Sequence, residues 1–229
     1  MCGIFGAVKQ EQFLDLYDLN RKRGTFSTSL AILTTNSNVI VHRWSGTVAV
    51  KDMDKEIKKS LEDAEMSPLY LLGHTQAPTS SKRKYSRETS HPFNTENWIV
   101  AHNGVLTNFD EIKQQFDPKW KNPVDSSTIP LMLYKIQQAV NSQGHSVEII
   151  STALSHLEGT FGLWIINTDY RGVYIARCGS TLFANKIDNT FSSVKFKGSE
   201  AVEEGVVYEV TPEGLTSVAN FDFNSPFFS

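Results

Sequence analysis

The first six residues, Met1-Cys2-Gly3-Ile4-Phe5-Gly6, constrain the chain most. A small second residue such as cysteine permits removal of the initiator methionine, which would leave a thiol and an α-amine on one residue. The α-amine titrates at about pH 8, so it can take the thiol proton at neutral pH and produce a nucleophilic thiolate. The two glycines around Ile4 and Phe5 indicate a short buried strand whose backbone can approach a ligand closely. The stretch therefore predicts an N-terminal nucleophile or, alternatively, a strand that merely begins with a buried cysteine.

Length, charge and cysteine content set the general class of the chain. Its 229 residues can bury a sizeable core, and we expect one domain over residues 1–229. A net charge of −3 gives no reason to expect nucleic acid or a membrane surface as a partner. The two cysteines, Cys2 and Cys178, form no disulfide framework, and neither a signal peptide nor a long apolar segment is visible. We therefore expect a cytoplasmic protein.

The first half of the chain contains helix and strand patterns followed by a long irregular segment. Apolar spacing and turn residues predict helices at residues 10–23 and 55–65, with strands at 29–34, 38–44 and 69–72. The last of these strands ends directly before Gly73-His74-Thr75. Residues 76–97 have little periodicity and include basic residues, which indicates either a functional loop or a solvated surface.

The second half begins with helices and ends with strands. A strand at residues 98–101 leads into His102-Asn103-Gly104, and helices are predicted at 109–116, 126–143 and 146–156. Asn108 and Glu111 are spaced as a capping pair for the first of these helices. Strands follow at residues 160–167, 172–177, 191–196, 206–210 and 215–218. Strands at both ends with helices between them predict an α+β arrangement of sheets covered by helices.

Two short stretches could assist a thiolate that attacks an amide. The tetrahedral oxyanion needs preorganised donors, and Asn103 with Gly104 offers a side-chain amide and a backbone N–H. An Asn-Gly dipeptide is also a common turn. Asp125, between Val124 and two serines, could be a helix N-cap or a ligand for a substrate ammonium group.

Taken together, these residues resemble the class-II glutamine amidotransferases of the N-terminal nucleophile hydrolase family. The resemblance covers nearly the whole chain, because several blocks occur in the family order. They are Met1–Gly6, Arg23-Gly24, Gly73-His74-Thr75 through Thr79, His91-Pro92-Phe93, Ala101-His102-Asn103-Gly104 with Leu106-Thr107-Asn108, Asp125-Ser126, Gly159-Thr160-Phe161-Gly162 and Glu204-Gly205-Val206-Val207.

The resemblance implies a fold and a mechanism. The fold is a four-layer αββα sandwich of two antiparallel sheets. An N-terminal cysteine hydrolyses the side-chain amide of glutamine through a γ-glutamyl thioester and releases ammonia. By the same resemblance, Cys2 is the nucleophile, Asn103 and Gly104 form the oxyanion hole, Asp125 binds the α-ammonium group and Arg23 supports the nucleophile. His74 and Thr75 belong to the substrate-binding block, with His74 and His102 as scaffold residues. No cofactor is implied, and the histidines lack a metal-ligand pattern.

One residue departs from the family pattern. The family has an arginine two residues after the Gly-His-Thr histidine, where it clamps the substrate α-carboxylate, and this chain has Gln76. A neutral amide replaces a bidentate charged donor, so we expect weaker glutamine binding unless Lys82 or Arg83 substitutes. The departure also leaves open another amide substrate, or a non-catalytic domain that acts as a binding or regulatory subunit.

The resemblance also implies a partner. Familiar members continue into a synthase domain that consumes the ammonia, and no nucleotide or sugar-phosphate motif is visible here. The chain resembles the free-standing members of bacteria and their phages, so we expect an ammonia-accepting synthase as partner, in the host cytoplasm if a phage encodes the chain. The aromatic residues Phe221, Phe223, Phe227 and Phe228 form either a docking surface or a tail packed on its own domain.

Overall fold

A computed structural model of the chain describes residues 2–36, 38–63, 67–77, 84–140, 146–211 and 214–223. These residues divide into two compact units, Met1–Pro92 with Leu182–Ala201 and Phe93–Thr181 with Val202–Ser229. Each unit contains one sheet, whose paired strands are antiparallel, and its own helices. The prediction of a single domain over residues 1–229 stays a prediction.

The described part of the chain begins and ends with strands and has its helices between them, as the sequence predicts. In chain order the strands are β1 (Gly3–Ala7), β2 (Ser27–Thr34), β3 (Val39–Ser45), β4 (Pro68–Gln76), β5 (Phe93–Thr95), β6 (Trp98–Leu106), β7 (Gly159–Asn167), β8 (Gly172–Cys178), β9 (Phe183–Asn185), β10 (Thr190–Ser192), β11 (Glu200–Ala201), β12 (Val206–Thr211) and β13 (Gly214–Asn220). The helices are α1 (Gln10–Asn20), α2 (Val50–Asp63), α3 (Phe109–Phe116), α4 (Thr128–Ala139) and α5 (Ser146–Leu154), with a 3-10 helix at Asp125–Ser127.

Within the described residues, the sheet of the first unit has seven strands, with β1 near its middle. Its order is β11-β9-β10-β1-β4-β2-β3, so β1 lies between β10 and β4. All five residues of β1 are buried. Helix α1 packs on β1, β4 and β10, and its buried residues Phe13, Leu16 and Tyr17 are spaced three and four apart on one face. The ring centroids of Phe5 and Phe13 are 5.2 Å apart, and this contact anchors β1 in the core.

In the part of the second unit that the structure describes, the sheet has six strands in the order β13-β12-β8-β7-β6-β5. Helix α4 packs on β5 and β6, and α5 packs on β12 and β13. The apolar core of this unit includes Trp98, Phe161 and Met132, which are fully buried. Among the described residues, none of the helices combines the length and the apolar character that crossing a membrane requires.

Two strands extend further than the sequence predicts. Strand β4 continues past residue 72 through His74 to Gln76, and β6 continues past residue 101 to Leu106. The motifs therefore lie inside strands and not after them. Histidine, asparagine and glycine interrupt the apolar pattern, but the backbone pairing of β4 with β1 and β2, and of β6 with β7, does not stop there. Strand pairing outweighs side-chain propensity at these positions.

Three helix predictions also need correction. Helix α1 ends at Asn20 and not at residue 23, because Arg23 N–H donates to the Asn20 carbonyl in a turn. Helix α2 begins at Val50, five residues before the predicted start. Asn108 occupies the N-cap position of α3 as predicted, but its side chain makes no capping hydrogen bond: its Nδ2 donates to the His156 carbonyl, and its Oδ1 accepts from the Glu158 N–H.

The sequence patterns also missed or misjudged several short elements. The helix predicted at residues 126–143 is a 3-10 helix followed by α4, and the strand predicted at 191–196 is the shorter β10. The three short strands β5, β9 and β11 were not predicted. Predictions at Thr79, Lys82 and Arg83 lie outside the described residues.

The aromatic residues after β13 pack on their own unit as far as the structure describes them. Phe221 is 5% exposed, and its ring centroid lies 5.7 Å from that of Phe161. Phe223 is 37% exposed, and its ring centroid lies 6.0 Å from that of Phe221. Phe227 and Phe228 lie outside the described residues. Phe221 is therefore a core residue of the second unit and not part of a docking surface.

Replacing Phe221 by alanine should lower the free energy of unfolding by about 3 kcal/mol or more, because it deletes a buried aromatic ring and leaves a cavity. Phe223→Ala, at the partly exposed neighbour, should cost less. Urea denaturation of both variants beside the parent protein measures the difference. Equal losses in the two variants would contradict the placement of Phe221 in the core.

Candidate active site

Cys2 lies directly before β1, and the backbone beside it is held by Ser193. Cys2 is half-buried, and both cysteines of the chain are thiols. The Ile4 N–H donates to Ser193 Oγ at 3.0 Å, and the Ser193 N–H donates to the Ile4 carbonyl at 2.8 Å. Ser193 thus extends the pairing of β1 with β10 towards the candidate nucleophile.

Arg23 links Cys2 to the same serine. Its Nε donates to the Cys2 carbonyl at 3.0 Å, and its Nη1 donates to the Ser193 carbonyl at 3.0 Å. Burial lowers the pKa of Arg23 below its usual range, and the negative charge of a Cys2 thiolate opposes that shift. The guanidinium therefore fixes the backbone of Cys2 and attracts the thiolate.

Thr75 and Gly3 bring α1, β1 and β4 close together next to Cys2. The register of the sheet pairs Gly3 with Thr75. Thr75 Oγ1 donates to the Asn20 carbonyl at the end of α1, at 3.0 Å. A Cβ on Gly3 would lie 2.6 Å from Asn20 Oδ1 and 2.8 Å from Thr75 Oγ1, so a side chain does not fit there. Thr75 therefore holds α1 against β4, and Gly3 permits the close approach.

His74 stacks on His91. Their ring centroids are 3.9 Å apart with an interplanar angle of 27°, and the two side chains are 1% and 3% exposed. His91 itself lies in the segment that follows β4, and Arg43 of β3 donates to the Ser90 and Pro92 carbonyls on either side of it. This packing agrees with a scaffold role for His74.

Gln76, which replaces the family arginine, is almost fully buried at the end of β4. It is 2% exposed, and its Oε1 accepts a hydrogen bond from Ser27 Oγ at 2.8 Å. Its carbonyl accepts from the Phe26 N–H at 2.9 Å, and a Cβ on Gly24 would lie 2.4 Å from the Gln76 carbonyl carbon. The β2 strand and the turn before it thus fix both the backbone and the amide orientation of Gln76.

The Asn103-Gly104 dipeptide belongs to the second unit, where β6 pairs with β7. Asn103 is 6% exposed, whereas Val105, two residues on, is 64% exposed. Gly104 has a φ of +153°, and a Cβ there would lie 2.0 Å from the Thr160 carbonyl oxygen. Only glycine can adopt this backbone at such close approach. The Asn-Gly pair is therefore not a hairpin turn but an irregular point near the exposed end of a strand.

Asp125 connects this end of β6 to the 3-10 helix. Its Oδ2 accepts from the Leu106 N–H at 3.0 Å, and its Oδ1 accepts from the Ser126 N–H at 2.7 Å. The N-cap positions of the 3-10 helix and of α4 are Val124 and Ser127, so Asp125 is not the N-cap. A carboxylate has about four acceptor positions, so this half-buried side chain retains capacity for a cationic ligand.

His102 is buried beneath Asp125. Its Nδ1 lies 2.9 Å from Ser126 Oγ, and its Nε2 lies 3.1 Å from the Thr160 carbonyl. Burial lowers the pKa of His102, and the nearby Asp125 carboxylate opposes that shift. Since a carbonyl can only accept, Nε2 carries the hydrogen of that contact. The lowered pKa favours the neutral form of His102 at pH 7.

The predicted site residues form two groups, each within one unit. Cys2, Arg23, His74, Thr75 and Gln76 cluster around β1 and β4, while His102, Asn103, Gly104 and Asp125 cluster around β6. Sequence reasoning missed Ser193 and assigned no role to Ser126. Both carry a buried hydroxyl, which needs a hydrogen-bond partner. Within the described ranges, no three histidine, cysteine or acidic side chains are placed to hold a metal ion.

Ser193→Ala should destabilise the protein by about 1–3 kcal/mol, because it leaves the buried Ile4 N–H without its acceptor. Ser217, exposed on β13, is the control position, where the same substitution should have little effect. Chemical denaturation measures both. A Ser193→Ala variant as stable as Ser217→Ala would contradict the role of Ser193 in holding β1.

Known proteins are similar to this chain in sequence and in fold. No protein-family model matches the sequence. The chain is 23% identical over 234 residues to a glutamine–fructose-6-phosphate aminotransferase (isomerizing) of Helicobacter pylori, covering 98% of this chain and 38% of the relative. It is 29% identical over 203 residues to the enzyme of that name from Francisella tularensis, covering 84% of this chain and 31% of the relative. The chain thus spans about a third of the length of these curated relatives.

Solved structures share the fold. A glutamine phosphoribosylpyrophosphate amidotransferase of B. subtilis superposes with a TM-score of 0.70 at 18% identity, over 98% of this chain and 50% of that one. A glutamine aminotransferase class-II domain protein of Silicibacter pomeroyi superposes with a TM-score of 0.55 at 13% identity, over 99% of this chain and the whole of that one. The predicted α+β class with two antiparallel sheets is confirmed. The chain is thus similar in sequence to glutamine–fructose-6-phosphate aminotransferases and shares the N-terminal nucleophile hydrolase fold of solved glutamine amidotransferases.

Proposed function

We propose that this domain hydrolyses the side-chain amide of glutamine with Cys2 as its nucleophile. The observation that best supports the proposal is the restraint on Cys2 in a chain homologous to glutamine amidotransferases. The residue precedes a fully buried strand, and its carbonyl accepts a hydrogen bond from the Arg23 guanidinium. Such restraint reduces the orientational freedom that an attacking thiolate would otherwise lose.

The first half of the proposed reaction forms a thioester. After removal of Met1, the α-amine of Cys2 takes the thiol proton, and Sγ attacks the amide carbon of the substrate. Asn103 Nδ2 and the Gly104 N–H stabilise the oxyanion. The carbon–nitrogen bond then breaks, the amine returns the proton to the leaving nitrogen, and ammonia departs.

The second half restores the enzyme. Water attacks the γ-glutamyl thioester, with the α-amine as base and the same two donors on the oxyanion. The carbon–sulfur bond breaks, the thiol regains its proton and glutamate leaves. No redox partner or metal is needed for either half, since each is an acyl transfer.

Two side chains would recognise the amino-acid end of glutamine. Asp125 would bind the α-ammonium group with its remaining acceptor positions. Gln76 would face the α-carboxylate as a neutral donor where the family arginine offers two charged hydrogen bonds. His74 and Thr75 would support Gln76 from the same strand.

The released ammonia needs an acceptor. The curated relatives are named for a transfer from glutamine to fructose-6-phosphate, and this chain spans about a third of their length. We therefore propose that the domain delivers ammonia to the active site of a synthase, which lies on a further domain or on a separate polypeptide.

Cys2→Ala should abolish glutamate release from glutamine, because it removes the nucleophile. Cys178→Ser is the control: Cys178 is 1% exposed, and burial raises the pKa of its thiol, which disfavours the thiolate. Glutamate release and mass spectrometry of protein treated with a reactive glutamine analogue measure both variants. The intact mass of the same samples establishes whether Met1 has been removed.

The two cysteines thus separate the competing functions. Labelling at Cys178, or loss of activity in Cys178→Ser alone, would overturn the assignment of the nucleophile. If protein without Met1 yields neither glutamate nor a labelled Cys2, the proposed glutaminase activity is wrong, which leaves another amide substrate or a non-catalytic binding or regulatory subunit.

Gln76→Arg should lower the KM for glutamine by about tenfold, since it restores a charged partner for the α-carboxylate. Gln76→Glu, which keeps the shape of glutamine but adds a negative charge, should raise the KM. Steady-state kinetics of both variants measure the effect. An unchanged KM in both would show that residue 76 does not contact the carboxylate.

A further inference from the structure

A single hydroxyl proton lies between two acceptors in the second unit. Ser126 Oγ is 2.9 Å from His102 Nδ1 and 3.1 Å from Asp125 Oδ1. A serine hydroxyl donates one hydrogen bond, so it can serve the imidazole or the carboxylate but not both. Its backbone N–H donates to Asp125 Oδ1 at 2.7 Å whatever the hydroxyl does.

The protonation state of His102 decides which acceptor receives the proton. Nε2 must carry a hydrogen, because its partner is the Thr160 carbonyl. In neutral His102, Nδ1 is therefore an acceptor, and the Ser126 hydroxyl donates to it. Asp125 Oδ1 then keeps a lone pair that the hydroxyl does not occupy.

In protonated His102 the direction reverses. Nδ1 now carries a hydrogen and donates to Ser126 Oγ, so the hydroxyl turns to Asp125 Oδ1. The Asp125 carboxylate then accepts a hydrogen bond from the Ser126 hydroxyl, and that hydroxyl in turn accepts one from the His102 imidazolium cation. Both changes reduce its attraction for another cation.

We propose that His102 and Ser126 are positioning residues that control how strongly Asp125 binds the ammonium group of the substrate, through the direction of the Ser126 hydroxyl. This inference rests on the proposed role of Asp125. It adds a specific consequence: the domain binds an amino acid well with neutral His102 and poorly with protonated His102.

Few charged side chains other than Asp125 lie on the elements of this unit that surround His102. Strands β5 and β7, which flank β6, contain no ionisable side chain. Helix α4, which packs on β6, carries Tyr134 and Lys135 in its second half, away from the 3-10 helix at its start. Helix α3 carries Asp110, Glu111 and Lys113 and approaches the 3-10 helix. Asp125 is the charged side chain that raises the pKa of His102.

The sign of the pH dependence follows from weaker binding with protonated His102, and the burial of His102 determines the pH range in which it occurs. Because burial lowers the pKa of His102, the neutral form persists through pH 7 and is lost only on acidification below the ordinary imidazole range of about 6.5. Binding of an ammonium ligand should therefore weaken as the pH falls through this lower range.

The test compares two ligands that differ only in the ammonium group. L-Glutamine and 5-amino-5-oxopentanoate, which is glutamine without its α-amino group, are titrated calorimetrically into the Cys2→Ala protein at about pH 7.5 and about pH 5. Cys2→Ala prevents turnover, and the ratio of the two dissociation constants cancels any titration that affects both ligands. We expect the preference for L-glutamine to fall as the pH is lowered, and to be about tenfold smaller in protein whose His102 is shown by imidazole NMR to be protonated, the size of one charge-assisted hydrogen bond.

Three substitutions in the Cys2→Ala background identify the residues responsible. Ser126→Ala should remove most of the pH effect on the ratio, and Ser126→Thr, which keeps a hydroxyl, should retain it. Ser127→Ala is the matched control: Ser127 is equally buried, but its hydroxyl donates to the Val124 carbonyl. A ratio that responds to pH equally in Ser126→Ala and Ser127→Ala would overturn the proposal.

Imidazole NMR tests the hydrogen-bond switch without any ligand. Neutral His102 should be the Nε2–H tautomer, and a neutral Nδ1–H tautomer would overturn the proposal. If L-glutamine binds at neither pH, the proposed function fails, and the tautomer still decides for or against the switch.

Discussion

Strand β1 must satisfy its backbone hydrogen bonds inside a sheet, because all five of its residues are buried between β10 and β4. Water cannot replace a missing partner there. The requirement reaches the first residues through Ser193, which pairs with Ile4 by backbone and side chain, and through Arg23, which holds the Cys2 carbonyl. The position of the candidate nucleophile therefore follows from the pairing of the strand behind it.

In the second unit, buried polar side chains also need hydrogen-bond partners. Strand β6 carries a histidine, an asparagine and a glycine where an ordinary central strand carries apolar residues. His102 is compensated by Thr160 and Ser126, and Gly104 makes room for the Thr160 carbonyl. Asp125 then ties the end of β6 to the 3-10 helix. Stability and the proposed chemistry depend on the same few contacts, so substitutions here affect both.

Local sequence patterns predicted the elements whose signals lie in neighbouring residues. The buried start of β1, the amphipathic α1 and the whole of α3 are visible in apolar spacing alone. The ends of β4 and β6 are not, because pairing with neighbouring strands carries them through polar motifs. Ser193 is beyond local reasoning, since its partners Ile4 and Arg23 are about 190 and 170 residues away. The burial of Gln76 likewise depends on the neighbouring strand and not on residues close to it in the sequence.

The place of β1 in its sheet also fixes a sequence of events during synthesis. One neighbour of β1 ends at Gln76, but the other begins at Thr190, so the strand remains unpaired on one edge until synthesis has passed Thr190. Ser193 reaches Ile4 later still. Until then the first residues lack part of their pairing, and an enzyme that removed Met1 would have that interval in which to act. The backbone of the candidate nucleophile is held in place only after Ser193 has been made, so a domain cut short before that residue would not position it.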